Sequence, residues 1–407
     1  MRNWSGRRAG ALVMVVLTTA CGGGSPSEPP DTMPLITITG VADAGSYAAP
    51  VTITIGVDRG SYEATLDGVA FVSGQSVSAP GTHVLAVTAR NGNATAEREV
   101  TFTIAGAPGG LLIIRMFDLG ANASGGGGDA ILLTDSSAST QVHALIDAGP
   151  AGLNASDPNY VSQRLGQLGV DTLAVLLLTH AHADHFQGIP AVLTSQQVIR
   201  FIHNGQVRNF AEYNNMLALA GNLADSMIVP ATERQVRLGS TAESAQLTIV
   251  PPLPDYLAVP NAGSDSINNG SIGAELRLGT FRMFFTGDGE VQANARWRTQ
   301  FPSLTQSVTM LKVGHHGAND AVFDDGFSGA STWLTHTAPE VMLISANGTS
   351  HPRVNALTRL LQQTASRTYC TNVHGEITVR VARAGTHTVT VQKNAALDCV
   401  PGTEATS

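Results

Sequence analysis

Charge is scarce in this chain: 13% of its 407 residues are Asp, Glu, Lys or Arg, and 23 basic against 31 acidic side chains leave a formal net charge of −8. No basic face is available to neutralise a row of phosphates, so tight sequence-independent binding of nucleic acid at physiological salt is excluded and no stable nucleic-acid complex is expected. Phosphoester chemistry is not excluded, because a bound metal ion supplies positive charge that the side chains lack. Cysteine is equally sparse. Of the three, Cys21 stands near the beginning and Cys370 and Cys399 near the end. None has the short Cys-x-x-Cys spacing of a cysteine metal site. In an oxidising compartment the last two are candidates to pair and pin the C-terminal tail, and the sequence leaves that pairing open. Long charge runs are missing too, and the apolar stretch from Ala9 to Leu17 is too short to span a bilayer. What is present is 43% hydrophobic side chains, enough for a sizeable core, in a length that accommodates two folded domains.

The chain reads in five parts. Over residues 1–20, Arg2, Arg7 and Arg8 precede the short apolar stretch, the pattern of an export signal. Its end, Leu17-Thr18-Thr19-Ala20-Cys21, resembles the bacterial lipoprotein cleavage site, with Thr18 where that family usually has leucine. The resemblance implies an exported, cell-envelope protein tied to membrane only by lipid on Cys21; the plainer reading is a secretory signal cut near Ala20. Residues 21–33 read as a flexible tether. Residues 34–106 alternate apolar and polar side chains in short runs such as Ile36-Thr37-Ile38-Thr39 and His83-Val84-Leu85-Ala86-Val87, divided by Gly, Pro and Asn turns, and predict a small all-β sandwich. Ala64-Thr65-Leu66-Asp67-Gly68 and Gly81-Thr82-His83-Val84-Leu85 resemble bacterial immunoglobulin-like surface modules, which implies a spacer or a contact with a cell-surface component. After a linker over 105–110, residues 110–392 show strand-like runs (111–117, 130–133, 143–146, 173–178) alternating with helical stretches (159–168, 211–223), an α/β pattern. The four glycines at 125–128 lack the Lys-Ser/Thr pair of a phosphate loop and read as a turn. Residues 393–407 form a C-terminal tail.

The chemistry concentrates where a buried strand ends at Leu178 and the chain continues Thr179-His180-Ala181-His182-Ala183-Asp184-His185. Three of only 12 histidines fall with an aspartate inside six residues, which chance explains poorly. Alanines between them let the side chains converge without crowding, and neutral imidazole with carboxylate is a ligand set suited to zinc.

His-Xaa-His-Xaa-Asp-His is the signature motif of the metallo-β-lactamase superfamily, and the resemblance extends over about residues 111–392. Leu145-Ile146-Asp147-Ala148-Gly149 resembles its first strand-end motif, which implies that Asp147 orients the ligand loop from behind; Phe285-Thr286-Gly287-Asp288 resembles its later Thr-Gly-Asp, which implies that Asp288 bridges two ions. Gly128-Asp129-Ala130, Leu311-Lys312-Val313-Gly314-His315-His316-Gly317 and Ser350-His351-Pro352 resemble the branch typified by the hydrolase domain of ComEC competence proteins. The loop over 120–127 is longer than the short turn usual in that branch. The resemblance implies a four-layer αββα fold holding two divalent ions, zinc first and manganese as alternative. His180, His182 and one of His315 or His316 would hold one ion, and Asp184 and His185 the other. Asp184 and His351 are the candidate catalytic groups, the latter as general acid or oxyanion donor. Lactamase members carry a further histidine before the bridging carboxylate; here that interval holds only His203, expected to line the pocket, and Asn268 in Asn268-Asn269-Gly270-Ser271 as a candidate oxygen donor. Lys312 is open between a phosphate contact and a strand residue with its amine at the surface.

The branch resemblance favours hydrolysis of a phosphodiester by metal-activated water: a nucleic acid strand, a nucleotide or a phosphocholine-type headgroup. An amide or ester hydrolase, such as a β-lactamase or lactonase, is the alternative enzyme. A non-catalytic surface binding or scaffold protein is the alternative outside enzymes.

Overall fold

The computed structural model describes residues 32–47, 51–77, 81–104, 111–120, 127–137, 140–151, 160–257, 263–363 and 366–405. The export signal, Cys21, the tether through residue 31, the 105–110 linker and residues 121–126 of the long glycine loop lie outside them. The chain separates into two compact units, residues 1–107 and 108–407. Among the described residues no helix is long and apolar enough to cross a membrane.

The described residues of the first unit form β-strands and turns without a helix. A five-stranded sheet centres on the long hairpin Gly81–Asn91 and Ala94–Ile104, with smaller pairs beside it. Ile36–Thr39 shows how the sequence pattern works: Ile36 and Ile38 face the core and Thr37 and Thr39 face water. That alternation is the mark of a sheet wet on one side. His83 lies in this unit, paired with Asp67 2.7 Å away.

The second unit is built in four layers. An eight-stranded sheet runs Ser226–Ile228, Arg200–His203, Val175–Leu178, Val142–Ile146, Ile131–Asp135, Leu112–Met116, Ile377–Val381 and His387–Val391. A seven-stranded sheet runs Arg234–Arg237, Gln246–Val250, Gly273–Leu278, Phe281–Phe285, Met310–Lys312, Val341–Ile344 and Arg367–Cys370. In each, one part is antiparallel and the other is four parallel strands. One core packs the sheets on each other through Leu112, Ile146, Leu177, Leu247, Met283 and Leu343. A second packs helices Tyr160–Gln167, Ile189–Ser195 and Ala211–Leu223 on the outer face of the first sheet. A third packs Val291–Gln300, Thr332–Thr337 and Val354–Leu361 on the other. The order is therefore helix, sheet, sheet, helix.

Parallel strands covered on both faces read as unbroken apolar runs. Val175-Leu176-Leu177-Leu178 is one, buried at every position, each side chain contributing about 1.5–3 kcal/mol relative to exposure. A polar side chain inside such a strand needs a buried partner, and Val175–Leu178 carries no polar side chain, so its chemistry begins where it stops. Cys370 and Cys399 are paired in a disulfide that closes 29 residues of separation.

Candidate metal centre

Parallel strands release their carboxyl ends into loops on one edge of the sheets, the usual location of sites in such folds. Asp147 follows strand Val142–Ile146, His180 to His185 follow Val175–Leu178, Asp288 follows Phe281–Phe285, His315 and His316 follow Met310–Lys312, and His351 lies beyond Val341–Ile344. Local backbone shape completes the placement. Asp147, His315 and His316 adopt positive φ, unusual for residues with a Cβ and a sign that the surrounding structure holds them. Gly128 is needed where it is, because a Cβ there would meet the Asp184 carbonyl oxygen at 2.4 Å.

Among the described residues, two of the groups of possible metal donors share Asp288. His180, His182 and Asp288 make one; Asp184, His185, His316 and Asp288 make the other. Asp288 Oδ2 lies 3.1 Å from His185 Nε2, 3.2 Å from His316 Nε2 and 3.8 Å from His180 Nε2. Such separations are the edges of a coordination shell with ligands at about 2.0–2.2 Å. Asp184 Oδ2, Asp288 Oδ1 and His316 Nε2 are buried without a hydrogen-bond partner, a costly arrangement for the protein alone. The donor set thus fits two divalent ions, with Asp288 shared.

Ring orientation is fixed from behind. Asp147 Oδ1 accepts from the Thr179 N–H at 2.7 Å, and its Oδ2 accepts from the Thr179 hydroxyl at 2.7 Å and from His185 Nδ1 at 2.8 Å. With its own hydrogen committed to Asp147, the Thr179 oxygen accepts from His180 Nδ1 at 3.1 Å. His316 Nδ1 donates to the Ser345 carbonyl at 3.0 Å. With Nδ1 engaged from behind, His180, His185 and His316 each leave Nε2 as the atom directed to the centre, the support typical of metal histidines.

The groups differ electrostatically. Burial holds His180 well below the usual histidine range and His182 at about 4, so both are neutral. Burial also pushes His185 down, but Asp288, Asp147 and Asp184 outweigh it and hold it well above that range; Asp288 and Asp184 likewise outweigh burial at His316 and raise it. In return His185 and His316 overcome burial to keep Asp288 and Asp184 below the carboxylate range.

Of the His-His-Gly segment, His316 is the residue grouped with Asp288, and it lies with Asp184 and His185, not with His180 and His182 as the motif resemblance implies. Consecutive positive φ values send the two imidazoles apart. His315 Nδ1 goes to Asp320 Oδ1 at 3.0 Å and Glu290 Oε1 at 3.2 Å; burial lowers its pKa, but those carboxylates raise it to about 10. Lys312 needs a larger correction. Its amine is neither at the surface nor free for phosphate: it is fully buried, 2.5 Å from Asp129 Oδ2 and 3.6 Å from Asp288 Oδ1, and donates to the Gly287 carbonyl at 2.9 Å. Its neighbours Met310 and Leu311 pair with both adjacent strands, and its side chain ends among the carboxylates.

Asn268 is wholly buried, donating to Glu290 Oε1 at 2.6 Å, with its Oδ1 lacking a partner, as an oxygen donor would require. His203 stays apart from both donor groups. Its ring stacks on Phe201, its Nδ1 accepts from the Gly205 N–H at 3.2 Å, and burial lowers its pKa to about 4. His351 is buried beside the centre, its ring 5.5 Å from that of His315 and 6.1 Å from that of His316, with Nδ1 3.1 Å from Ser350 Oγ. Burial pushes its pKa down to about 3, so it is neutral at pH 7. Asp129 receives no individual role from the sequence alone. It contacts Lys312 and Ser345 Oγ and lies 3.9 Å from His316 Nδ1. Glu290 and Asp320 escape a reading of the sequence as well; the former stands two residues after Asp288, the one available hint.

No protein-family profile and no curated protein matches the chain. Three solved structures are similar in part. A point mutant of the CmlA beta-hydroxylase is 14% identical with a TM-score of 0.41, the match covering 66% of this chain and 54% of that one. A diphosphatase from the PhnP family is 12% identical with a TM-score of 0.32, over 69% of this chain and 98% of that one. AidC, a dizinc quorum-quenching lactonase described with N-hexnoyl-L-homoserine as product, is 11% identical with a TM-score of 0.28, over 77% and 96%. The chain therefore spans about half the length of the first, and at these identities and TM-scores none of the three assigns it a family or an activity.

Proposed function

We propose that residues 110–392 are a metallo-β-lactamase-fold hydrolase that uses two divalent ions to cleave a phosphodiester. The observation that carries the hydrolase reading is the position of Asp288 Oδ2, within 3.1, 3.2 and 3.8 Å of imidazole nitrogens from both donor groups. The helix–sheet–sheet–helix order and the His180-to-His185 motif support the fold name. The ComEC-like segments support the phosphodiester. Bound divalent ions supply Lewis-acid activation of water and charge stabilisation on the attacked group.

The chain's own residues do the rest. His180, His182 and Asp288 would hold one ion, and Asp184, His185, His316 and Asp288 the other; the imidazole-rich set suits zinc, with manganese the alternative. Asp147 keeps His185 and the 179–180 backbone in place. Asp184 Oδ2, kept ionised by His185 and His316 and 3.3 Å from His316 Nε2, is the carboxylate atom that would face an ion or take a proton. His351, neutral, fits a hydrogen-bond donor to developing oxyanion charge better than a proton-donating imidazolium.

Metal content of the purified protein, with hydrolysis of bis-p-nitrophenyl phosphate and a chromogenic β-lactam before and after chelation, tests this. About two ions per chain and chelator-sensitive phosphodiester cleavage are expected. Lactam turnover alone would move the assignment to the amide hydrolases, and neither metal nor turnover would leave a scaffold. The proposal extends to export with lipid on Cys21 and to the first unit as an immunoglobulin-like spacer or cell-surface contact; absence of acyl labelling at Cys21 would remove the anchor.

A further inference from the structure

The C-terminal tail crosses the loop that carries His351. Two of its positions are buried, Cys399 and Gly402, between exposed neighbours. Cys399 is held by its disulfide to Cys370, at the end of the edge strand Arg367–Cys370. Around it, Asn372 Nδ2 donates to the Val400 carbonyl at 3.1 Å and His374 Nε2 to the Leu397 carbonyl at 3.1 Å. Three residues on, the tail makes a run of main-chain bonds: Gly402 N–H to Pro352 at 3.1 Å, Thr403 N–H to Gly348 at 2.8 Å and Glu404 N–H to Thr349 at 2.8 Å. A Cβ at Gly402 would lie 2.3 Å from the Thr349 carbonyl oxygen and 2.9 Å from the His351 amide nitrogen. The tail is therefore seated directly on the backbone of His351. From inside, Asn347 Oδ1 accepts from the N–H groups of Thr349 and Ser350 at 2.9 and 3.1 Å.

We infer that residues 399–404 are a strap, fastened by the Cys370–Cys399 disulfide, that positions His351 at the metal centre, so that reduction of this disulfide releases the loop and lowers turnover while the metal donors stay in place. The turnover part rests on the hydrolase reading; the loop part does not. None of the donors His180, His182, Asp184, His185, Asp288 or His316 bonds to the strap, so metal content and loop order are separable. Short peptide segments held by a few main-chain bonds and one covalent link open locally at low cost when the link is cut.

The test compares untreated protein, protein reduced with a phosphine, Cys399→Ala, and Gly402→Val, which dislodges the strap with the disulfide kept. Amide exchange over residues 347–353 is read by mass spectrometry beside metal content and kcat and KM for bis-p-nitrophenyl phosphate. Expected are exchange at least 10-fold faster in all three altered forms, unchanged metal content, and kcat down about 5- to 20-fold with little change in KM. In a His351→Ala background, reduction should then change kcat no further, because the strap acts through that side chain. Unchanged exchange over 347–353 in the reduced protein and in Gly402→Val overturns the strap. An additional kcat loss in the His351→Ala background overturns its action through His351. If no form has activity, the hydrolase reading fails and the exchange data still decide the strap.

Discussion

The two donor groups share Asp288 yet prepare for metal in opposite ways. His180 and His182 are neutral because burial strips them of charge and outweighs Asp288, and Asp184 beside His182. His185 and His316 face Asp184 and Asp288 together, with Asp147 and Asp129 behind, and without metal they hold protons in place of the ion. The first group is a socket of lone pairs, the second a balanced cluster of charges. An ion entering the second must displace protons, so its affinity rises with pH. An ion entering the first meets ligands already deprotonated and competes little with protons at neutral pH.

Removing the shared residue should erase the contrast. Asp288→Asn is expected to drop bound metal below one ion per chain and to slow hydrolysis on the order of 10³-fold, the equivalent of several kcal/mol of lost charge stabilisation; retention of both ions by mass analysis would refute the shared role. His182→Ala should separate the groups: one ion is lost, the other stays, and hydrolysis falls to the chelated baseline while the first unit melts unchanged. Full activity in that variant would sink the metal mechanism.

Lys312→Met probes the charge balance of the second group. It takes the ammonium partner from the buried Asp129, leaving it only Ser345 Oγ and the more distant His185 and His316; the expected cost is about 3 kcal/mol in urea unfolding, and Asp129→Asn in the same chain should recover most of it. A single variant as stable as the parent would show the pair to be dispensable. His203 supplies a smaller comparison outside the centre. Its folded pKa of about 4 lies below the unfolded value near 6.5, so its contribution is complete above about pH 6.5 and is lost as pH falls toward 4. That amounts to about 3 kcal/mol, and His203→Asn should flatten the decline between pH 6.5 and 4 in denaturant titrations.

Much of this was legible in the chain. Alternation in Ile36–Thr39 and the unbroken apolar run in Val175–Leu178 reflect one covered face against two, a distinction written in residue order. Helix Ala211–Leu223 follows the predicted span, and Tyr160–Gln167 lies within the predicted 159–168. The cluster from His180 to His185 is local, because one loop after one strand carries four donors.

Residue order by itself pointed to most of the clustered imidazoles and carboxylates: an unbroken apolar strand such as Val175–Leu178 leaves no polar position until it ends, and His180 to His185 gather there. The tertiary structure alone decided how those residues divide. Whether His315 or His316 reaches the donors depended on two backbone torsions. Whether Lys312 meets solvent or Asp129 depended on a strand far away in sequence, and whether Cys370 meets Cys399 depended on the path of the tail. These are contacts between distant segments, fixed by packing and the pairing of buried charge, and no local spacing encodes them.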